Sequence, residues 1–335
     1  MNHSINFFRL VFTFVIAFWH FPMLSKGILN SGYIPVEFFF ILSGYLLYQS
    51  SNKHIGAIEY TKNKLNKFWL KAVLITIIIS LTNNSISFNC LNDYLQYTVR
   101  LFLLLANIIP TGNNVLVHNG VIWYLMVLIW GGALIYAIIK AFPQKGKIIL
   151  GTLCFVCYAI VLNNNHILNE VWTYPLPLLR GLGGISLGCI INHLVNNHSD
   201  IISNKLLNTI SIFSLIASTS LLFITDVHGI LPIVSYSFVI FACFKKESII
   251  YKALNCPIFS KLSSTSFEIF IGHIFLTKVV FKIMLLCYGP DIIQGINTNE
   301  KLIGSIIYII TLIIFGYIYQ KSCDYIQKGL NRIFD

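Results

Sequence analysis

Three ionisable residues near the start of the chain stand in apolar surroundings: Arg9, His20 and Glu37. In a helix, the eleven steps from Arg9 to His20 make about 1100° of rotation, roughly 20° beyond three full turns. Both side chains then lie on one face, roughly 16 Å apart along the axis, and mark two depths of one polar stripe. Glu37 opens the next apolar run, Ile34-Pro35-Val36-Glu37-Phe38-Phe39-Phe40-Ile41-Leu42-Ser43-Gly44. If the two runs are antiparallel helices, Glu37 returns at about the depth of His20. A carboxylate beside an imidazole fixes its tautomer and stabilises the imidazolium, as a general base requires. His20, Glu37 and Arg9 are therefore the expected catalytic set. The plain alternative for His20 is an interfacial histidine beside Trp19.

Further along, His273 sits in the middle of a late apolar run, either as a packing histidine or as part of a pocket or proton relay. Glu268, five residues earlier, is about 140° away round the helix and is not an obvious partner. Lys278 and Lys282 follow as an i, i+4 pair that either lines a cavity or snorkels to the membrane surface. Arg180, early in another apolar run, suits an anionic ligand or a structural ion pair. Ser43-Gly44 reads as close helix packing, because no base lies near the serine. Trp123 and Tyr124 have the placing of interfacial aromatics. Cys154 and Cys157 form a CxxC inside an apolar stretch with no second pair, which reads as helix filler rather than a zinc or redox site. No metal is expected.

These residues need a scaffold, and the composition defines it. Of 335 residues, 56% are hydrophobic and only 10% charged, with a mean hydropathy of +0.75. Soluble domains carry about 25% charged residues, so that class is excluded, and so is intrinsic disorder. What remains is an all-α integral membrane protein, a bundle of about ten transmembrane helices forming one domain over residues 1–335. The net charge of +11 does not imply nucleic acid, because the cations sit in short connectors between apolar runs. The first run lacks a charged n-region and a small-x-small cleavage site, and reads as a retained helix.

Spans are expected at about Phe7–Met23, Ile34–Tyr48, Trp69–Ile86, Val121–Ile139, Ile148–Leu162, Leu176–Leu194, Leu206–Ile224, Ile230–Phe244, Phe267–Cys287 and Leu302–Tyr319. Basic residues then collect on one side: Lys53 to Lys71, Lys140 to Lys147, Lys205, Lys245 to Lys261, and the tail with Lys321, Lys328 and Arg332. The positive-inside rule makes that side cytoplasmic and places both termini there. The opposite connectors hold only Lys26, Arg100 and Lys301. If Tyr94–Ile109 also crossed, the asymmetry would collapse, so this segment is expected as an outer re-entrant or interfacial helix. No internal repeat is visible, which weakens a repeat-built transporter.

The motifs resemble those of the membrane acyltransferase-3 family. Arg9 and His20 match its R-x10-H signature. Val36-Glu37-Phe38-Phe39-Phe40-Ile41-Leu42-Ser43-Gly44 is similar to V-D-x-F-F-x-L-S-G, with Glu for the usual Asp. Tyr60-Thr61-Lys62-Asn63-Lys64-Leu65-Asn66-Lys67 resembles the family's basic segment, with Lys where Arg is common and Trp69 where Pro is common. Trp123-Tyr124-Leu125 resembles the Trp-Tyr/Phe-Leu of the fourth span. Ser266-Phe267-Glu268-Ile269-Phe270-Ile271-Gly272-His273 resembles S-Y-x-x-Y-L-x-H near the ninth. The likeness covers nearly the whole chain in order.

The resemblance implies an O-acyltransferase of the bacterial cytoplasmic membrane that moves an acyl group, usually acetyl from acetyl-CoA, to a hydroxyl of a surface glycan such as O-antigen or exopolysaccharide. The expected partners are acyl-CoA, a glycan or lipid-linked saccharide, and the bilayer. On this reading Arg9, Lys64, Lys67 and His273 contact the donor, while Arg180, Trp123, Tyr124 and Lys278 contact the acceptor. His20 removes the acceptor proton or becomes acylated, and Glu37 orients it. The alternative is a transporter or flippase for a lipid-linked glycan, with Arg9, His20, Arg180 and the two late lysines lining its path. A receptor or scaffold would leave the charges at membrane depth unexplained.

Overall fold

The computed structural model describes residues 2–22, 29–52, 55–82, 99–100, 102–104, 120–164, 168, 175–197, 203–289 and 298–334. Among these it is all-helical, with no β-strand. In chain order the helices are α1 His3–Trp19, α2 Pro35–Ser51, α3 Ala57–Thr82, α4 Ile122–Ala141, α5 Gly146–Asn164 and α6 Leu176–Asn197. They continue with α7 Asn204–Ser220, α8 Ile230–Phe244, the short α9 Ile249–Leu254 and α10 Ile258–Leu262, then α11 Ser266–Tyr288 and α12 Thr298–Phe334. Among the described residues, six helical stretches are long and apolar enough to cross a membrane: α4, α5, α6, α7 with the turn after it, α10 running into α11, and α12. The apolar α1 and α8 are shorter, at 17 and 15 residues. At 1.5 Å per residue such helices fall short of a hydrocarbon core of about 30 Å. The expected outer helix at Tyr94–Ile109 lies outside the described residues, apart from 99–100 and 102–104.

Helix ends follow local chemistry. Asn2 caps α1, accepting from the Ile5 amide at 3.2 Å and donating its own amide to the Cys243 carbonyl at 2.6 Å, which fastens α1 to the end of α8. Pro35 occupies the first turn of α2, where its missing N–H costs nothing. Within α4 the residues Val127–Gly131 form a π-helical turn, directly after Trp123 and Tyr124.

The most extensive packing is between α2 and α6, and small residues permit it. A Cβ at Gly44 would meet the Ile185 carbonyl oxygen at 1.9 Å, and one at Gly188 would meet the Ile41 carbonyl oxygen at 1.9 Å. With no hydrophobic force between helices in lipid, such backbone proximity and interhelical hydrogen bonds supply the attraction. Asn192 donates to the Tyr45 carbonyl at 3.0 Å, and the Cys189 thiol reaches the Gly44 carbonyl at 3.3 Å. Tyr308 of α12 ties α1 to α11. Its hydroxyl lies 3.3 Å from the carbonyls of both Ala17 and His273 and 2.8 Å from the Thr277 hydroxyl. Its ring stacks on Phe21 at 4.3 Å.

Replacing Gly188 by Ala should therefore force α2 and α6 apart, at a cost of about 1–3 kcal/mol. Gly151, whose Cβ would meet nothing within 4 Å, is the control. Thermal unfolding in detergent should show a lowered midpoint for Gly188→Ala and an unchanged or raised one for Gly151→Ala.

Candidate active site

His20 ends α1 as its C-cap residue, and His273 is fully buried in α11. Their rings meet, with centroids 4.8 Å apart and His273 Nε2 at 3.2 Å from His20 Nδ1. Two backbone carbonyls decide the tautomers. His273 Nδ1 lies 2.6 Å from the Phe270 carbonyl, and a carbonyl only accepts, so Nδ1 carries the proton and Nε2 the lone pair. His20 Nδ1 lies 2.9 Å from the Ile16 carbonyl and beside that lone pair, so it is protonated too. His20 Nε2 is left unprotonated, with no partner among the described residues. This is the state a general base needs. Trp19 packs edge-on against the ring with a centroid distance of 4.7 Å.

The expected His20–Glu37 pair does not form. Glu37 Oε1 accepts from Arg180 Nε, and Oε2 accepts from the Tyr158 hydroxyl at 2.8 Å. The reason is rotational. Seven residues along α2 bring a side chain back to within about 20° of the same face, so Glu37 shares the face of Gly44, which abuts α6. There it meets Arg180, which has Gly184 and Gly188 at i+4 and i+8 on α6. The ion pair is almost wholly dry, with side chains 0% and 4% exposed. Tyr158 of α5 was not singled out by the sequence reading, since nothing local links it to Glu37.

Two cavities flank these residues. One, of about 140 Å³, is lined by His20, Arg180, Trp123, Tyr124, Phe270 and apolar neighbours such as Ile16 and Val36. The other, of about 300 Å³, gathers four cations, Arg9, Lys64, Lys67 and Lys71, and one carboxylate, Glu268. Arg9 donates to the Asn6 side chain at 3.2 Å. Lys71 is paired to Glu268 at 2.6 Å, and the Oε2 of that nearly buried glutamate has no partner among the described residues. Lys64 lies over the rings of Tyr60 and Phe68 at 5.4 and 6.0 Å. Burial, with Lys67 alongside, pushes the Lys64 ammonium down to about 8. Tyr124 and Phe270 belong to both linings, with ring centroids 5.3 Å apart. The basic cavity and the histidine cavity therefore share a wall of two aromatic rings.

Arg9, Lys64 and Lys67 thus share one cavity, while His20, Arg180, Trp123 and Tyr124 share the other. Trp123 and Tyr124 are buried among helices. His273 lines neither cavity. Expected at the donor, it stands beside His20, where its Nε2 is already engaged. Lys278 falls on the exposed face of α11 and also lines neither, because it is five positions past His273 and so on another side of the helix. Phe270, Tyr308 and Lys71 were missed as site residues. The signal available for Phe270 was its i, i+3 relation to His273.

The chain belongs to the acyltransferase-3 family, whose domain model, described as an acyltransferase domain, matches residues 2–320. It is a multi-pass membrane acyltransferase that transfers groups other than aminoacyl groups. Neither a curated protein nor a solved structure matches it.

The buried ion pair makes a direct prediction. Glu37→Gln leaves the Arg180 charge uncompensated and should cost about 3–5 kcal/mol. The double variant Glu37→Gln/Arg180→Gln, which buries no lone charge, should unfold at a higher temperature than the single one. Equal midpoints for the single variant and the wild type would show that the pair is not formed.

Proposed function

We propose that the protein transfers an acetyl group from acetyl-CoA to a hydroxyl of a bacterial cell-surface glycan, from a seat in the cytoplasmic membrane. The observation that carries this reading is the shared wall between a cation-lined cavity and a histidine-lined one. Coenzyme A bears its phosphates at one end and its thioester at the tip of a thin flexible arm, which calls for cations and a nucleophile-activating base at separated depths. Arg9 and His20, roughly 16 Å apart on one helix face, supply that separation.

In this scheme Arg9, Lys64 and Lys67 hold the donor phosphates, Arg9 through its bidentate fork. The arm passes between Tyr124 and Phe270 and delivers the thioester to His20. The acceptor hydroxyl enters the histidine cavity, where Trp123 offers an apolar face to a sugar ring. His20 Nε2 takes the hydroxyl proton, the imidazolium is steadied by the Nδ1–H bond to His273, and the proton is returned to the departing thiolate. Glu37 acts at one remove, by holding Arg180. The glycan as acceptor is favoured by the same division of the molecule, since cofactor and hydroxyl can then approach from opposite directions.

Radiolabelled acetyl-CoA supplied to membranes bearing the protein should label their glycan. His20→Ala should abolish the labelling while the folded protein stays in the membrane, and retained activity would remove His20 from the reaction.

The donor cavity should also titrate. Lys64 is protonated below about pH 8 and loses its charge as pH rises, so the KM for acetyl-CoA should climb several-fold between about pH 7 and 9. In Lys64→Arg the charge persists throughout, and the KM should stay flat. A profile shared by both proteins would place the titrating group elsewhere.

A further inference from the structure

Arg180 has more donors than its partners use. A guanidinium carries five N–H groups. The Nε–H is taken by Glu37, and Nη1 donates to the Leu168 carbonyl at 3.0 Å. Nη2 is buried and has no hydrogen-bond partner among the described residues, in a side chain only 4% exposed. Leaving such a donor unsatisfied away from water is costly. Arg180 lines the small cavity that also holds His20, with its guanidinium 5.8 Å from the Trp123 ring centroid.

The chemistry of that wall narrows what Nη2 is for. Glu37 already neutralises the guanidinium, so the pair has little net attraction for an acceptor that arrives charged. The expectation that Arg180 binds an anionic acceptor loses its electrostatic basis here. A donor held at fixed orientation by two other bonds, on a buried side chain, is instead suited to an oxygen that becomes negative only during the reaction.

We infer that Arg180 is a catalytic residue whose Nη2–H binds the thioester oxygen and stabilises the tetrahedral oxyanion. This rests on the acyl-transfer reading above. The acceptor oxygen bonds to the thioester carbon as its proton passes to His20 Nε2, and the carbonyl π pair moves onto the oxygen facing Nη2. Collapse restores the carbonyl, breaks the carbon–sulfur bond and expels the coenzyme A thiolate, which recovers the proton from His20. Glu37 and the Leu168 carbonyl are positioning groups that aim the guanidinium.

The test compares membranes carrying wild-type protein or Arg180→Lys at matched levels, with radiolabelled acetyl-CoA and the membranes' own glycan as acceptor. Lysine can still pair with Glu37 but has no second arm at the Nη2 position. The kcat should fall about 10²-fold, as for loss of one oxyanion donor, with the KM for acetyl-CoA within about twofold of wild type. If Arg180→Lys fails to fold, Glu37→Gln/Arg180→Gln buries no unpaired charge and should show the same loss of kcat. Hydrolysis of acetyl-CoA in membranes stripped of glycan, with water in place of the acceptor hydroxyl and acetate and coenzyme A thiol as products, separates the roles: it falls in parallel if Arg180 acts on the thioester. A folded variant with wild-type kcat, or one defective only in labelling glycan, overturns the inference and leaves the acyl-transfer reading standing. A wild-type protein inert toward acetyl-CoA overturns the donor reading, and the inference with it.

Discussion

In the proposed reaction, the chemistry depends on the hydrogen bond between His273 Nε2 and His20 Nδ1. Either ring alone could hold its proton on either nitrogen. Here the Phe270 and Ile16 carbonyls each demand a donor, and the two demands agree only if both rings are protonated at Nδ1. The consequence is a base with its lone pair left for the cavity. A carboxylate more often performs this service for a catalytic histidine, but a second neutral imidazole adds no charge to bury, which matters where water is scarce.

The rest of the bundle serves that contact. Tyr308 holds the backbones of α1 and α11 at the level of the two rings, so the spacing of the histidines is set by a third helix. The glycine-lined approach of α2 to α6 fixes Arg180 over the same cavity through Glu37. The charges therefore play two distinct parts. Glu37 and Arg180 are paired and dry, whereas Arg9, Lys64 and Lys67 gather around an open volume that an anion could fill.

Much of this was legible from the residues. Periodicity put Arg9 and His20 on one face, and they do line successive cavities along α1. Apolar runs marked the helices, and among the described residues six helical stretches are long and apolar enough to span. The partner of Glu37 was misjudged because depth in a membrane follows from counting residues, whereas facing depends on how a helix is rotated against its neighbours. Its seven-residue spacing from Gly44 held the missing clue. The His20–His273 contact joins residues 253 positions apart, a relation that no local pattern encodes. Trp123 and Tyr124 have the composition of interfacial aromatics, and only the tertiary packing shows both lining the histidine cavity and Tyr124 lining the basic one as well.

The most direct measurement is solid-state NMR of the protein with ¹⁵N-labelled histidine in lipid, with His20→Gln and His273→Gln used to assign the ring signals. Both residues should show a protonated Nδ1 and an unprotonated Nε2 at neutral pH, with a coupling or close contact between His273 Nε2 and His20 Nδ1. A protonated Nε2 on His20 would mean that the ring presents a donor to the cavity. The account of His20 as the base would then be contradicted at its root.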